Sequence, residues 1–139
     1  MRLTDTIAAI STPYGKGGVA MIRISGESAI EIADRVFLAK RKKALSECQS
    51  REMIYGEIFF GVGDKRISID DGCAVVFRAP SSFTGEDSVE LYCHGGVLVT
   101  SKVLSSVLSA GARLAEAGEF DRQKFCRKKG GLQHTWKSS

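Results

Sequence analysis

Two stretches of this 139-residue chain repeat apolar residues with a helical period, and strand-like runs crowd the sequence between them. Ala29, Ile32, Ala33, Val36 and Phe37 fall at i, i+3, i+4, i+7 and i+8, one face of an amphipathic helix. Ser25 and Ser28 are its candidate caps. Val99, Val103, Leu104, Val107, Leu108 and Ala110 form a second helical face, and Gly111 stands where a C′ glycine closes such a helix. Residues 6–10 and 19–25 read as strands ahead of the first helix. Residues 53–62, 66–69, 73–77 and 88–94 read as strands between the helices, and 112–115 as a short last strand. Residues 38–52, polar and basic, read as a loop. The order β-β-α-β-β-β-β-α-β clusters strands instead of alternating them with helices. It predicts an α+β domain with a mixed β-sheet and two main helices.

One domain of this length, 43% hydrophobic, suffices for a single core. No apolar run approaches the ~20 residues of a membrane span, and the first residues lack the apolar segment of a signal peptide. The expected localisation is therefore cytoplasmic, with no membrane partner. Cys48, Cys73, Cys93 and Cys126 are scattered with no CxxC pair and read as free thiols. Cys93 and His94 are adjacent on a strand and point to opposite faces, so no metal site is expected.

The net charge of +4 and pI near 9 invite a nucleic-acid-binding reading. The distribution weakens it. Residues 1–120 hold 14 Lys and Arg against 15 Asp and Glu, whereas residues 121–139 hold 6 against 1. The alternative function is thus a nucleic-acid-binding module that uses the basic tail. Lys40-Arg41-Lys42-Lys43 is the other basic run, and it reads as a solvated loop.

The chemistry-bearing stretch is FTGEDSVELYCHGG, residues 83–96. Its strand pattern turns Val89, Leu91 and Cys93 to the core and puts Ser88, Glu90, Tyr92 and His94 on the other face. Glu90 is either an exposed glutamate or a carboxylate that accepts two parallel N–H bonds from a planar, guanidine-like group. Arg23 interrupts an otherwise apolar strand and needs an anionic or carbonyl partner, either a carboxylate of this chain or a ligand. His94 is either a general base or a structural residue before a turn. Thr84, Glu86 and Asp87 read as loop formers through side-chain-to-backbone bonds. Gly95-Gly96 joins strand to helix, where free N–H groups meet anions or simply turn the chain. Gly15-Lys16-Gly17-Gly18 is followed by a strand and matches no phosphate-loop pattern.

DTIAAISTPYGKGGVAMIRISG, AVVFRAPSSFTGEDSVELYCHGG and AGARLAEAGEF together resemble the N-terminal domain of the tRNA modification GTPases, the MnmE/TrmE family. The resemblance covers residues 4–120. Tyr14 stands where a second proline is usual, and Lys16 where an arginine is usual. The resemblance implies an α+β fold similar to the tetrahydrofolate-binding domain of aminomethyltransferase-like proteins. It implies binding of 5-formyltetrahydrofolate as one-carbon source and homodimerisation. In the whole family protein it implies wobble-uridine modification of tRNA with an FAD-dependent partner. The family's folate contacts correspond to Arg23 and Glu90. No catalytic residue is assigned, and without GTPase motifs the chain is not expected to be catalytic alone.

Past residue 120 the resemblance breaks. DRQKFCRKKGGLQHTWKSS keeps Phe125 in register and puts Lys129 in the column of a family lysine that touches folate, without its surrounding motif. The expected division is a folate-binding and dimerisation domain at 1–120 and an atypical, poorly ordered basic tail at 121–139.

Overall fold

The computed structural model describes residues 5–11, 18–61, 63–94 and 96–128. Seven strands form one mixed sheet: β1 (Ile7–Ile10), β2 (Ala20–Ser25), β3 (Phe37–Ala39), β4 (Met53–Phe60), β5 (Ile67–Phe77), β6 (Ser88–Cys93) and β7 (Arg113–Leu114). Their order is β3-β4-β5-β6-β2-β1-β7. Among the described residues only the β1–β7 pair is parallel; every other neighbour pair is antiparallel. The helices are α1 (Ala29–Val36), α2 (Val97–Ser109) and α3 (Glu119–Lys128). The α+β class with a mixed sheet holds, and the two helices expected from periodicity are α1 and α2.

Alternation decides which sheet face is the core. Ile22, Ile24, Val89, Leu91, Cys93, Ala74, Val76, Ile54 and Ile58 are buried in one cluster with the apolar faces of α1 and α2. Burying a Val- or Leu-sized side chain contributes roughly 1.5–3 kcal/mol, so this layer dominates the stability. The face of α2 is more polar than its apolar period predicts. Thr100 and Ser106 are buried because each hydroxyl finds a carbonyl, Gly96 O at 2.8 Å and Phe59 O at 2.5 Å. Gly111 follows the last turn with φ +130 and donates to Leu108 O, closing α2 as expected.

Three expectations are corrected. The expected strands 66–69 and 73–77 are one strand, Ile67–Phe77, because Asp70, Asp71 and Gly72 pair with Ile58, Glu57 and Gly56 of β4, the register shift falling beyond them at Ile69. Phe37 does not extend α1. It starts β3, which pairs with β4. The segment 38–52 is not simply a loop: besides β3 it holds a 3-10 turn, Leu45–Glu47, with Leu45, Cys48 and Ala39 buried as single apolar anchors. Across the expected boundary at 120, α3 runs from Glu119 to Lys128. Of the expected tail, residues 129–139 lie outside the described residues.

Ser28 caps α1 without a side-chain bond. Its amide instead donates to Thr6 Oγ1 at 2.9 Å. Arg113 ties three segments together. Its guanidinium donates to both carboxylate oxygens of Asp5, at 2.9 and 2.8 Å, and to Glu119 at the start of α3. The hydrogen bonds to Arg113 hold the Glu119 carboxyl below its usual range. A depressed carboxyl stabilises above its unfolded value and loses that contribution as pH falls through the folded one. Arg113→Ala is therefore expected to cost about 1–2 kcal/mol at neutral pH, with a smaller loss near pH 3. Urea melts at both pH values check this; an equal loss at both contradicts the assignment.

Candidate functional site

Arg23 on β2 and Glu90 on β6 are direct cross-strand partners. Both project from the face opposite the core, as the alternation predicts. The Arg23 Nη2 donates to Glu90 Oε2 at 3.0 Å, with the two side chains 16% and 14% exposed. The Tyr92 hydroxyl, two residues along β6, donates to Glu90 Oε1 at 2.5 Å. Of the two partners open to Arg23, this structure contains the carboxylate of its own chain.

Aromatic rings frame the pair. Phe83, in the loop before β6, lies 4.7 Å from the Arg23 guanidinium, and Phe120 of α3 lies 5.7 Å from it. Gln123, one turn along α3, donates weakly to Ser25 O at 3.4 Å. Two buried atoms among the described residues have no hydrogen-bond partner: Arg23 Nε and Gln123 Oε1. A buried donor or acceptor left unsatisfied costs about 1–3 kcal/mol, which is why such atoms collect where a ligand completes the network.

The loop is built as its composition predicts. Thr84 Oγ1 accepts from the Glu86 amide at 3.3 Å and shares a 2.6 Å hydrogen bond with the buried Ser25 hydroxyl. Asp87 Oδ1 accepts from the Ala79 amide at 2.8 Å. These bonds pin Phe83 beside Arg23.

Burial first, and then the neighbouring Glu90 carboxylate, push the Tyr92 hydroxyl up to about 12. A raised value means that stability is fully present below the unfolded tyrosine pKa of ~10 and is lost as pH rises toward 12. The tyrosinate absorbance of the folded protein is expected to show a late phase near pH 12. Tyr92→Phe should remove that phase, and its persistence in the variant would assign it to another tyrosine.

The sequence profile of the family described as GTP-binding protein TrmE N-terminus matches residues 6–129. The chain belongs to this family. A tRNA modification GTPase MnmE of Symbiobacterium thermophilum is 48% identical over 121 residues, covering 87% of this chain and 26% of the relative. That of Lachnoclostridium phytofermentans is 48% identical over 123 residues, covering 88% and 26%. That of Bacillus subtilis is 44% identical over 121 residues, covering 87% and 26%. The chain thus spans about a quarter of the length of these relatives, as their N-terminal domain.

Within this TrmE N-terminal domain the expected site residues fare differently. Arg23 and Glu90 meet. His94 does not join them: its ring is exposed and its Nδ1 lies 2.9 Å from Asp71 O. Its amide donates to Asp70 Oδ2 at 2.7 Å, so it helps end β6 at the β5 edge. Gly96 is the N-cap residue of α2, while Gly95, Lys129 and the glycine loop at 12–17 lie outside the described residues. No group of three metal-ligating side chains occurs among the described residues, and no helix there is long and apolar enough to cross a membrane. Tyr92 was legible from its position beside Glu90 on the strand face. Phe120 and Gln123 were not, because nothing local in AGEFDRQ says that α3 folds back over β2.

Proposed function

We propose that this domain binds a reduced folate, 5-formyltetrahydrofolate, as the one-carbon source for the wobble-uridine tRNA modification performed by the whole family protein, and that it mediates homodimerisation there. The FAD-dependent protein that the family resemblance implies acts as a partner of that larger assembly. Arg23 and Glu90 are the proposed folate contacts in the described structure, and Lys129 is a further proposed contact.

The observation that carries this reading is the half-buried Arg23–Glu90–Tyr92 cluster with its unpartnered Arg23 Nε. A pterin offers a planar edge with two parallel N–H donors, the pattern a carboxylate accepts. Each Glu90 oxygen is already bonded once, to Arg23 or Tyr92, and keeps a further lone pair for such a fork. Arg23 supplies a cationic donor to a carbonyl of the same ligand. The Phe83 and Phe120 rings provide apolar area suited to a flat heterocycle. The folate supplies the one-carbon unit when bound. The chain's own residues bind and orient it.

Calorimetric titration of the purified chain with 5-formyltetrahydrofolate tests the reading. Saturable binding is expected, weakened about 100-fold in Glu90→Gln, which keeps size and one acceptor oxygen but puts an NH2 donor in place of the other and so loses the charge-assisted fork. Absence of binding by the folded protein, or equal affinity in Glu90→Gln, overturns the assignment of this site.

A further inference from the structure

The charge balance of residues 1–120 conceals an asymmetry that the fold creates. Lys40, Arg41, Lys42 and Lys43 leave the end of β3, and all four are exposed. Lys42 sits at φ 58, with its amide donating to Ala39 O in a tight turn that splays the consecutive side chains. Two more arginines arrive from elsewhere in the chain. Arg78, just after β5, donates to Ser46 O at 2.9 Å, and its amide donates to Ser50 Oγ at 3.2 Å. Arg51 takes φ 70, donates from its amide to Val76 O and reaches Ser81 O at 3.2 Å. Arg41 bonds Glu52, next to Arg51, at 2.5 Å. Residues 40–52 and 78–81 therefore form one corner holding six cations.

The acids at this corner are Asp34, Glu47, Glu52 and Asp87, the last accepting from the Ala79 amide at 2.8 Å. Asp34 spends both oxygens on the backbone amides of Leu45 and Ser46, at 2.6 and 3.4 Å, and Glu52 is spent on Arg41. Outside this corner, residues 1–120 hold eight Lys and Arg against eleven Asp and Glu. The folded domain is thus polarised, with a cationic corner on an otherwise acidic body. A cleft of ≈ 300 Å³ opens there between Lys42, Lys43 and the half-exposed Leu38.

We propose that this corner is a docking surface for the phosphate backbone of an RNA, with Lys40, Lys42 and Lys43 as the principal phosphate contacts. Several flexible ammonium groups on a turn, backed by arginines held by the chain, fit a row of phosphates and not a single small anion. The choice of RNA over other polyanions rests on the tRNA-modification reading above. The corner is formed by other residues than the Arg23–Glu90 site, so the two are separable by experiment.

Fluorescence-anisotropy titration of the chain with a labelled tRNA transcript, between 50 and 200 mM salt, tests this. The triple variant Lys40→Gln, Lys42→Gln, Lys43→Gln is compared with a tail control, Arg127→Gln, Lys128→Gln, Lys137→Gln, which spares Lys129. All three lysines of the corner are exposed, so an unchanged melting curve is expected and serves as the folding check. The corner variant is expected to weaken binding at least tenfold and to reduce the slope of log K on log salt by about 2–3, each lost phosphate contact removing ~0.9. The tail control is expected to bind nearly as the parent does. Equal loss in both variants, loss only in the tail control, no salt-dependent RNA binding, or binding to phosphatidylserine vesicles in its place would each overturn the proposal. Folate titrations on the same samples keep the two readings apart: lost RNA binding with intact folate affinity touches only this one.

Discussion

A methyl group added at Gly72 is expected to destabilise the domain by about 3 kcal/mol or more, beyond most overpacking substitutions. A Cβ there would lie 2.1 Å from the Tyr92 carbonyl oxygen and 3.0 Å from Ile58 Cδ1. The first of these is backbone of the neighbouring strand. It yields only if the β5–β6 ladder opens, at the point where Gly72 pairs with Cys93 and Cys73 with Tyr92. For a domain of this size, with ~5–15 kcal/mol in total, such a loss leaves a large unfolded fraction. The clash also pushes on the residue that holds Glu90, so folate binding is expected to fall along with stability. Urea unfolding of Gly72→Ala beside Gly18→Ala, whose added methyl meets nothing within 4 Å among the described residues, measures the difference. A gap under about 1 kcal/mol would show that β5 and β6 can separate freely, against the tight approach described here.

The second large effect is expected at Glu90. Removing its carboxylate by Glu90→Ala leaves the Arg23 guanidinium half-buried between Phe83 and Phe120 without its counter-charge. Breaking a fully buried pair costs about 3–5 kcal/mol, and partial exposure here reduces that to about 2–3. The Tyr92 hydroxyl loses its acceptor in the same step. Glu90→Ala therefore disturbs the fold as well as the site; Glu90→Gln also removes the charge but keeps the side chain's volume and one acceptor oxygen, which makes it the milder probe of ligand binding. In a double-mutant cycle, Arg23→Met and Glu90→Leu are each expected to be costly alone and much less so together, with a coupling of about 1–3 kcal/mol. Urea melts of the four proteins give that number directly. Additive losses, within about 0.5 kcal/mol, would mean that the two charges do not depend on each other in solution.

Much of the site was legible because β-strands obey a strict two-residue period. In SVELYC the alternation alone put Glu90 and Tyr92 on the face away from the core, and in AMIRIS it put Arg23 there. The helical periods of residues 29–36 and 99–108 located α1 and α2 for the same reason: an amphipathic element records its environment in its own spacing. Short anchors escaped this reading. Leu45 and Cys48 are buried singly inside a polar segment, and one apolar residue has no period. Asp70, Asp71 and Gly72 looked like a break between strands, yet all three pair with β4, and Gly72 pairs with Cys93 of β6 as well.

The order of local elements, their apolar faces and the side of the sheet that carries Arg23 and Glu90 were determined by the sequence itself, through interactions between residues close along the chain. What only the tertiary structure decided is which distant residues meet. Arg23 and Glu90 are 67 positions apart and become partners only through the β2–β6 register. Phe120 joins them through the return of α3, and Arg51 and Arg78 join Lys40–Lys43 around the turn at Leu45–Glu47. Strand pairing and docking depend on burial and hydrogen bonding summed over the whole chain. That sum leaves no trace in any single segment.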